Sequence, residues 1–174
     1  GVSMTKKKGI FIGVAVILVA AVGVLFAVYF TSPSDIISFA NPNDAEVETI
    51  TLIVDRRSGE LPSGEQKVFT EALQKLSGKI AENEAKTLFE GYLGRITGLS
   101  YRFSDGHTAT FVFSPEDENL IRVTVAPGAS DVASAEAYFR VESKDFSRGS
   151  IEALQDRVAL AYPDSDGTLP DGAA

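Results

Sequence analysis

The chain has no cysteine, no tryptophan, one histidine and one methionine in 174 residues. Without Cys there is no disulfide framework, no thiolate metal site, no Cys nucleophile and no lipid-bearing Cys. A His-Glu-x-x-His zinc helix and a phosphate-binding Gly loop are both missing. Positive charge is the other scarcity, with 16 Lys and Arg against 24 Asp and Glu and a net charge of -8. That balance argues against nucleic acid as a partner, since such binding rests on cations that neutralise phosphates. The length suits one domain of ordinary size and not two.

What is present first is a membrane signal. Gly9 to Phe30 is an unbroken apolar run of 22 residues. At about 1.5 Å per residue it reaches roughly 33 Å, enough to cross a hydrocarbon core. Lys6, Lys7 and Lys8 precede it, and the next Lys or Arg is Arg56. The positive-inside bias then keeps residues 1–8 cytoplasmic and sends everything after Thr31 outside, with 9–30 as an uncleaved signal anchor. A cleaved signal peptide fits less well, because its apolar core is shorter and Val28-Tyr29-Phe30-Thr31 is a poor cleavage site. Gly9 and Gly13, then Gly23 and Ala27, have the small-xxx-small spacing of a helix pair and so of a homodimer. Membrane helices are rich in Gly and Ala in any case, which gives the same residues without a dimer.

Beyond the anchor lie all 24 acidic residues and 13 of the basic ones, a net of -11. Residues 31–45, with Ser32-Pro33-Ser34 and Asn41-Pro42-Asn43-Asp44, read as a stalk. Residues 163–174 are Pro, Gly, Asp and Ala without periodicity and read as a disordered tail. The 46–162 stretch between them reads as an extracytoplasmic domain.

In that domain Val47–Val54 is a β-branched strand with Ile50, Leu52 and Val54 on one face. Ser63 and Gln66 form a capping-box pair that starts a helix, with Val68, Phe69, Ala72, Leu73 and Leu76 as its stripe and Gly78 as its end. Residues 82–90 suggest a second short helix. Strands follow at 94–103, 107–113, 120–126 and 135–142. A last helix is predicted from Ser147 to Tyr162, with Phe146 and Ile151 as a staple and Ile151, Leu154, Val158 and Ala161 buried. The Ser104-Asp105-Gly106 turn is predicted as a three-residue loop with Gly106 left-handed. Only that register pairs Phe103 with His107, Tyr101 with Ala109 and Leu99 with Phe111, keeping apolar residues on one face. The fold class is α+β: an N-terminal transmembrane helix, then a two-layer domain. The domain has an antiparallel sheet of about five strands with helices on one face, in the order β-α-β-β-β-β-α.

Chemistry is sparse. His107 reads as a hairpin-end residue packing on Phe103 rather than a catalytic base. No Ser carries a peptidase or triad context. Asp164-Ser165-Asp166-Gly167 with Asp171 lacks the third acid and closing Glu of a calcium loop, and Glu116-Asp117-Glu118-Asn119 reads as a solvated acidic turn. The reading therefore carries no catalytic residue, no metal and no cofactor, and the protein is not expected to be an enzyme.

The alternation that buries Tyr101, Phe111, Ile121 and Phe139 sends Ser100, Arg102, Thr108, Thr110, Arg122, Thr124, Tyr138 and Arg140 to the other face. Arg102, Arg122 and Arg140, with Tyr138, Thr108 and Thr110, form the candidate face for an acidic protein segment or an anionic ligand. The plain alternative is a solvated face whose Arg pair across strands with Glu136 and Glu142.

Ile37-Ser38-Phe39, Val47-Glu48-Thr49-Ile50, the first amphipathic helix and Tyr101-Arg102-Phe103 through Phe113 resemble uncharacterised Gram-positive bacterial domains held outside the cell by a membrane helix or a lipid. The resemblance implies a binding or sensing module, with no catalytic residues to carry over. An exported domain without Cys also agrees with a bacterial envelope. The leading expectation is a single-pass membrane protein, N-terminus cytoplasmic, displaying such a module outside the bilayer. The alternatives are a structural subunit of an envelope or secretion complex and a carboxylate-dependent enzyme.

Overall fold

Strict apolar/polar alternation in four consecutive segments builds the centre of the molecule. In the computed structural model, which describes residues 34–83, 89 and 96–163, these are β5 (Thr97–Phe103), β6 (Thr108–Phe113), β7 (Leu120–Ala126) and β8 (Ala135–Val141). They form an antiparallel meander, and Leu99, Tyr101, Phe103, Ala109, Phe111, Phe113, Ile121, Val123, Val125, Phe139 and Val141 all lie buried. The turn after β5 has the expected register, with Tyr101 opposite Ala109 and Leu99 opposite Phe111. The Phe103 N–H donates to the His107 carbonyl, and Gly106 has φ +93°, a conformation that favours glycine.

The chain divides into two units at Ser32 and Pro33, and the described residues all belong to the second. Among them no helix is long and apolar enough to cross a membrane. The apolar run 9–30, the basic residues before it, residues 84–88 and 90 of the expected second helix, residues 94–95 of the expected strand and the tail from 164 lie outside the described residues.

The sheet is larger than expected. It has eight strands rather than about five, in the order β1-β4-β8-β7-β6-β5-β2-β3. The antiparallel α+β character holds, but the order strand, helix, four strands, helix does not. The expected strand at 47–54 is β2 (Val47–Val54), and it turns tightly into β3 (Arg57–Glu60), with Val54 opposite Arg57. Asp55 makes that turn at φ 59°, a conformation short polar side chains tolerate. At the opposite edge β4 (Ser77–Ile80) pairs with β8, and β1 (Ser34–Asp35) pairs with β4. The first helix therefore ends before Gly78, which is a strand residue.

Part of the expected stalk belongs to the domain. After β1, α1 (Ile36–Ala40) buries Ile36 and Ala40 completely. Its Phe39 ring stands edge-on to Phe139, with centroids 5.7 Å apart. The Asn41 amide closes the next turn, donating to the Ala45 carbonyl and accepting from the Ala45 N–H at 2.8 and 3.0 Å.

Helix α2 (Ser63–Gln74) lays Phe69 and Leu73 on the sheet, with Leu76 just beyond it, while Val68 faces solvent. The Ser63–Gln66 capping box does not form. Pro62 occupies the cap position, so Ser63 is already helical and its hydroxyl is one residue too late. Gln66 instead donates its side-chain amide to the Glu48 carbonyl of β2. The Tyr101 hydroxyl donates to the Phe69 carbonyl at 2.9 Å, tying α2 to the middle of the sheet. Burial pushes that phenol well above its ordinary range.

The last helix starts where expected and stops early. Ser147 and Ser150 make a reciprocal cap, each hydroxyl accepting from the other's N–H, and Phe146 and Ile151 are fully buried. The helix α3 covers Arg148–Glu152 and a 3-10 turn covers Ala153–Asp156. The chain then leaves helical form, because Ala161 exchanges backbone hydrogen bonds with Ser58 of β3. Gly59 permits that approach, since a Cβ there would collide with the Ala159 carbonyl.

Candidate functional site

Strands bury one set of side chains and must present the other, so the face turned away from the helices follows from the same alternation. Across it, one row runs Thr51, Ser100, Thr110, Thr124 and Glu136 on β2, β5, β6, β7 and β8. A second row places Arg102 opposite Thr108, and a third places Val112, Arg122 and Tyr138 side by side. Arg140 lies opposite Leu120 on one side and Lys79 on the other. The expected residues thus share one face, but not one site. Arg122, Tyr138 and Arg140 gather at the β7–β8 end. Arg102, Thr108 and Thr110 stand on β5 and β6, in other rows.

The two ends differ in cover. At the β7–β8 end Leu120 is fully buried and Tyr138 is 8% exposed, clustered with Ala81 and Phe89. The Phe89 ring lies 5.6 Å from the Tyr138 ring, and the Arg122 guanidinium sits 5.4 Å from the Phe89 centroid. Tyr138, expected as an outward contact residue, is therefore a packing residue. Its hydroxyl donates to Glu136 at 3.2 Å, and burial together with the Glu136 charge raises its pKa. Arg122 has its Nε buried without a hydrogen-bond partner among the described residues.

Arg140 and Arg102 meet acids other than the expected Glu136 and Glu142. Arg140 donates to Asp117 at 2.7 Å, and that bond, against partial burial, holds the Asp117 carboxyl below its ordinary value. Asp117 belongs to the acidic turn read as solvated, so the turn holds a strand cation in place. Arg102 approaches Glu48 at 3.8 Å with its side chain 66% exposed, a loose surface contact. Lys79 takes Glu142, also at 3.8 Å. Around Arg102 the surface is hydroxyl-rich, with Ser100 and Thr110 hydrogen-bonded at 3.1 Å and Thr124 reaching Glu136.

A shallow recess of about 560 Å³ beside Glu48 is lined by Glu60, Ser63, Gln66, Lys67 and Glu71. Its excess of carboxylates makes it a poor extension of an anion site at Arg102. Among the described residues no group of three or more His, Cys, Asp or Glu is placed to hold a metal ion. Sequence reasoning placed Glu48 on a strand and Asp117 in a turn but missed them as partners, because it did not assign β2 as the neighbour of β5 or the turn as the neighbour of Arg140. Thr49 and Thr51 of β2 were legible from the alternation that assigned Ile50 and Leu52 inward. No family model, no curated protein and no solved structure matches this chain.

Proposed function

We propose that the protein is a single-pass membrane protein that holds a non-enzymatic binding or sensing domain outside the bacterial cell. The observation that carries this reading is the division of the chain. A basic N-terminus and a 22-residue apolar run precede a separate antiparallel domain whose net charge, from Thr31 on, is -11. The resemblance to Gram-positive extracytoplasmic domains points the same way. The open end of the outer face supports binding, because Arg102 is exposed and only loosely paired on a hydroxyl-rich strip. Arg there suits an acidic segment of a partner protein, since its fork matches carboxylate geometry.

Three measurements test the reading. Membranes carrying the protein should retain it after alkaline carbonate washing and release it in detergent, and protease added outside intact cells should remove the domain. Release by carbonate, or full protection from protease, would overturn the topology. Crosslinking in intact cells, followed by the Arg102→Ser variant, should then show loss of a crosslinked partner; an unchanged partner set removes Arg102 from the site. A second reading, a structural subunit of an envelope complex, draws on the Gly9/Gly13 and Gly23/Ala27 spacing. Stoichiometric membrane partners after detergent purification would favour it.

A further inference from the structure

His107 is fully buried, and both of its ring nitrogens meet acceptors. Nε2 lies 3.0 Å from the Ala40 carbonyl at the end of α1, and Nδ1 lies 2.5 Å from Asp105 Oδ1. A carbonyl oxygen can only accept, so Nε2 carries a proton. The Asp105 carboxyl also accepts from the His107 backbone N–H at 3.0 Å and from the Asn43 side-chain amide at 3.0 Å. Donors converging on both oxygens favour the ionised carboxylate, so each ring nitrogen stands in a donor position toward an acceptor. The ring stacks on Phe103 with centroids 4.3 Å apart and planes 8° from parallel.

The contacts join segments distant in sequence. Asn43 also donates to Asp131, in the loop before β8, at 2.9 Å. Ser104 and Glu46 exchange two further bonds, the Ser104 N–H to the Glu46 carbonyl and the Glu46 N–H to the Ser104 hydroxyl. The charged groups around the ring are therefore Asp105 from the hairpin and, through Asn43, Asp131. The helix α1 contributes its carbonyl. Asp44 and Glu46 lie along the recess between α1 and α2, with Thr70 and Gln74.

We propose that His107 is a proton-dependent latch that fastens residues 36–45 onto the β5–β6 hairpin. With only one ring proton, one nitrogen faces an acceptor lone pair to lone pair, and at Nδ1 that acceptor is the Asp105 carboxylate. A buried polar group left in that state is costly, whereas the central strands keep every contact of their own. The segment 36–45 then opens ahead of the sheet, uncovering Ile36 and Phe39 and loosening β1 from the edge of β4 that it pairs. An uncovered strand edge is a ready template for pairing with another chain.

The test uses the full chain in detergent micelles, with nitrogen-15 in the histidine ring and amide hydrogen exchange read from about pH 5 to about pH 9. Both ring nitrogens should be protonated at the acid end. As one is lost, exchange of residues 36–45, corrected for intrinsic rate, should rise about tenfold or more while β5–β7 stay protected. In His107→Gln, whose amide donates at one end only, this pH dependence should vanish. A singly protonated ring at the acid end, or protection of 36–45 unchanged across the titration, overturns the proposal. Loss of protection in all strands together also overturns it. The ring spectrum and the exchange of the unsubstituted chain decide the matter if His107→Gln does not fold.

Discussion

The two faces of one set of strands behave as different materials. On the inner face Tyr101, Phe103, Phe111 and Phe113 pack with Phe146 and Leu73 in a single buried cluster. On the outer face the intervening residues are mostly Thr, Ser and Arg, with Val112, Glu136 and Tyr138 among them, and among the described residues the cover lies at the β7–β8 end. Identical backbone hydrogen bonding supports both, so the contrast comes from side chains alone. It shows that exposure on this sheet is set by what lies across a face and not by strand position.

The largest expected effect tests the inner face. Phe111→Ala should lower unfolding free energy by about 3–5 kcal/mol, read as a shift in the denaturant midpoint. Its neighbour Thr110→Ala, on the opposite face, should change it by about 0.5 kcal/mol or less. Equal effects would erase the distinction between faces. Tyr138→Ala then divides the outer face itself. Because its ring is packed under Phe89, the loss should approach about 2–4 kcal/mol in the same measurement. A surface-like response would mean that the β7–β8 end is open.

A smaller effect follows from the Arg140–Asp117 pair. The Asp117 carboxyl sits below its ordinary value of 3.8 in the fold, so its contribution is present above that value. It is lost as pH falls through the lower folded value, where the native carboxylate takes up its proton. Asp117→Asn should therefore be less stable than the parent near neutrality, and the two unfolding curves should converge as the solution is acidified below that range. A gap that persists unchanged into acid would assign the cost to packing instead. The smallest effect belongs to Arg102, where Arg102→Ser should move stability by about 0.5 kcal/mol or less, since the Glu48 contact is exposed and loose.

Much of the centre of this fold was legible. The β5–β6 register followed from one requirement, that Leu99, Tyr101 and Phe103 share a face with Phe111, Ala109 and His107. The stacking of His107 on Phe103 followed from it. The edges were not legible. Arg57-Ser58-Gly59-Glu60 and Ser77-Gly78-Lys79-Ile80 have little strand propensity and become strands because β2 and β8 offer them unpaired backbone. Ile36–Ala40 read as linker because Pro33 and Asn41-Pro42 flank it, although its burial at Ile36 and Ala40 matches the core. For the candidate site, alternation assigned Arg102, Arg122 and Arg140 to one face, but the acids that Arg102 and Arg140 meet come from a bulged strand and a turn.

The sequence by itself determined the four central strands and the face each residue takes, because a period of two is a property of the backbone that any half-buried strand must obey. It also determined the division between a basic, apolar N-terminal stretch and an acidic remainder. Only the tertiary structure decided where the sheet ends, which part of the outer face is covered, and that His107 joins α1 to a hairpin more than sixty residues away. Those outcomes depend on hydrogen-bond partners and packing surfaces supplied by distant segments, and no local pattern carries that information.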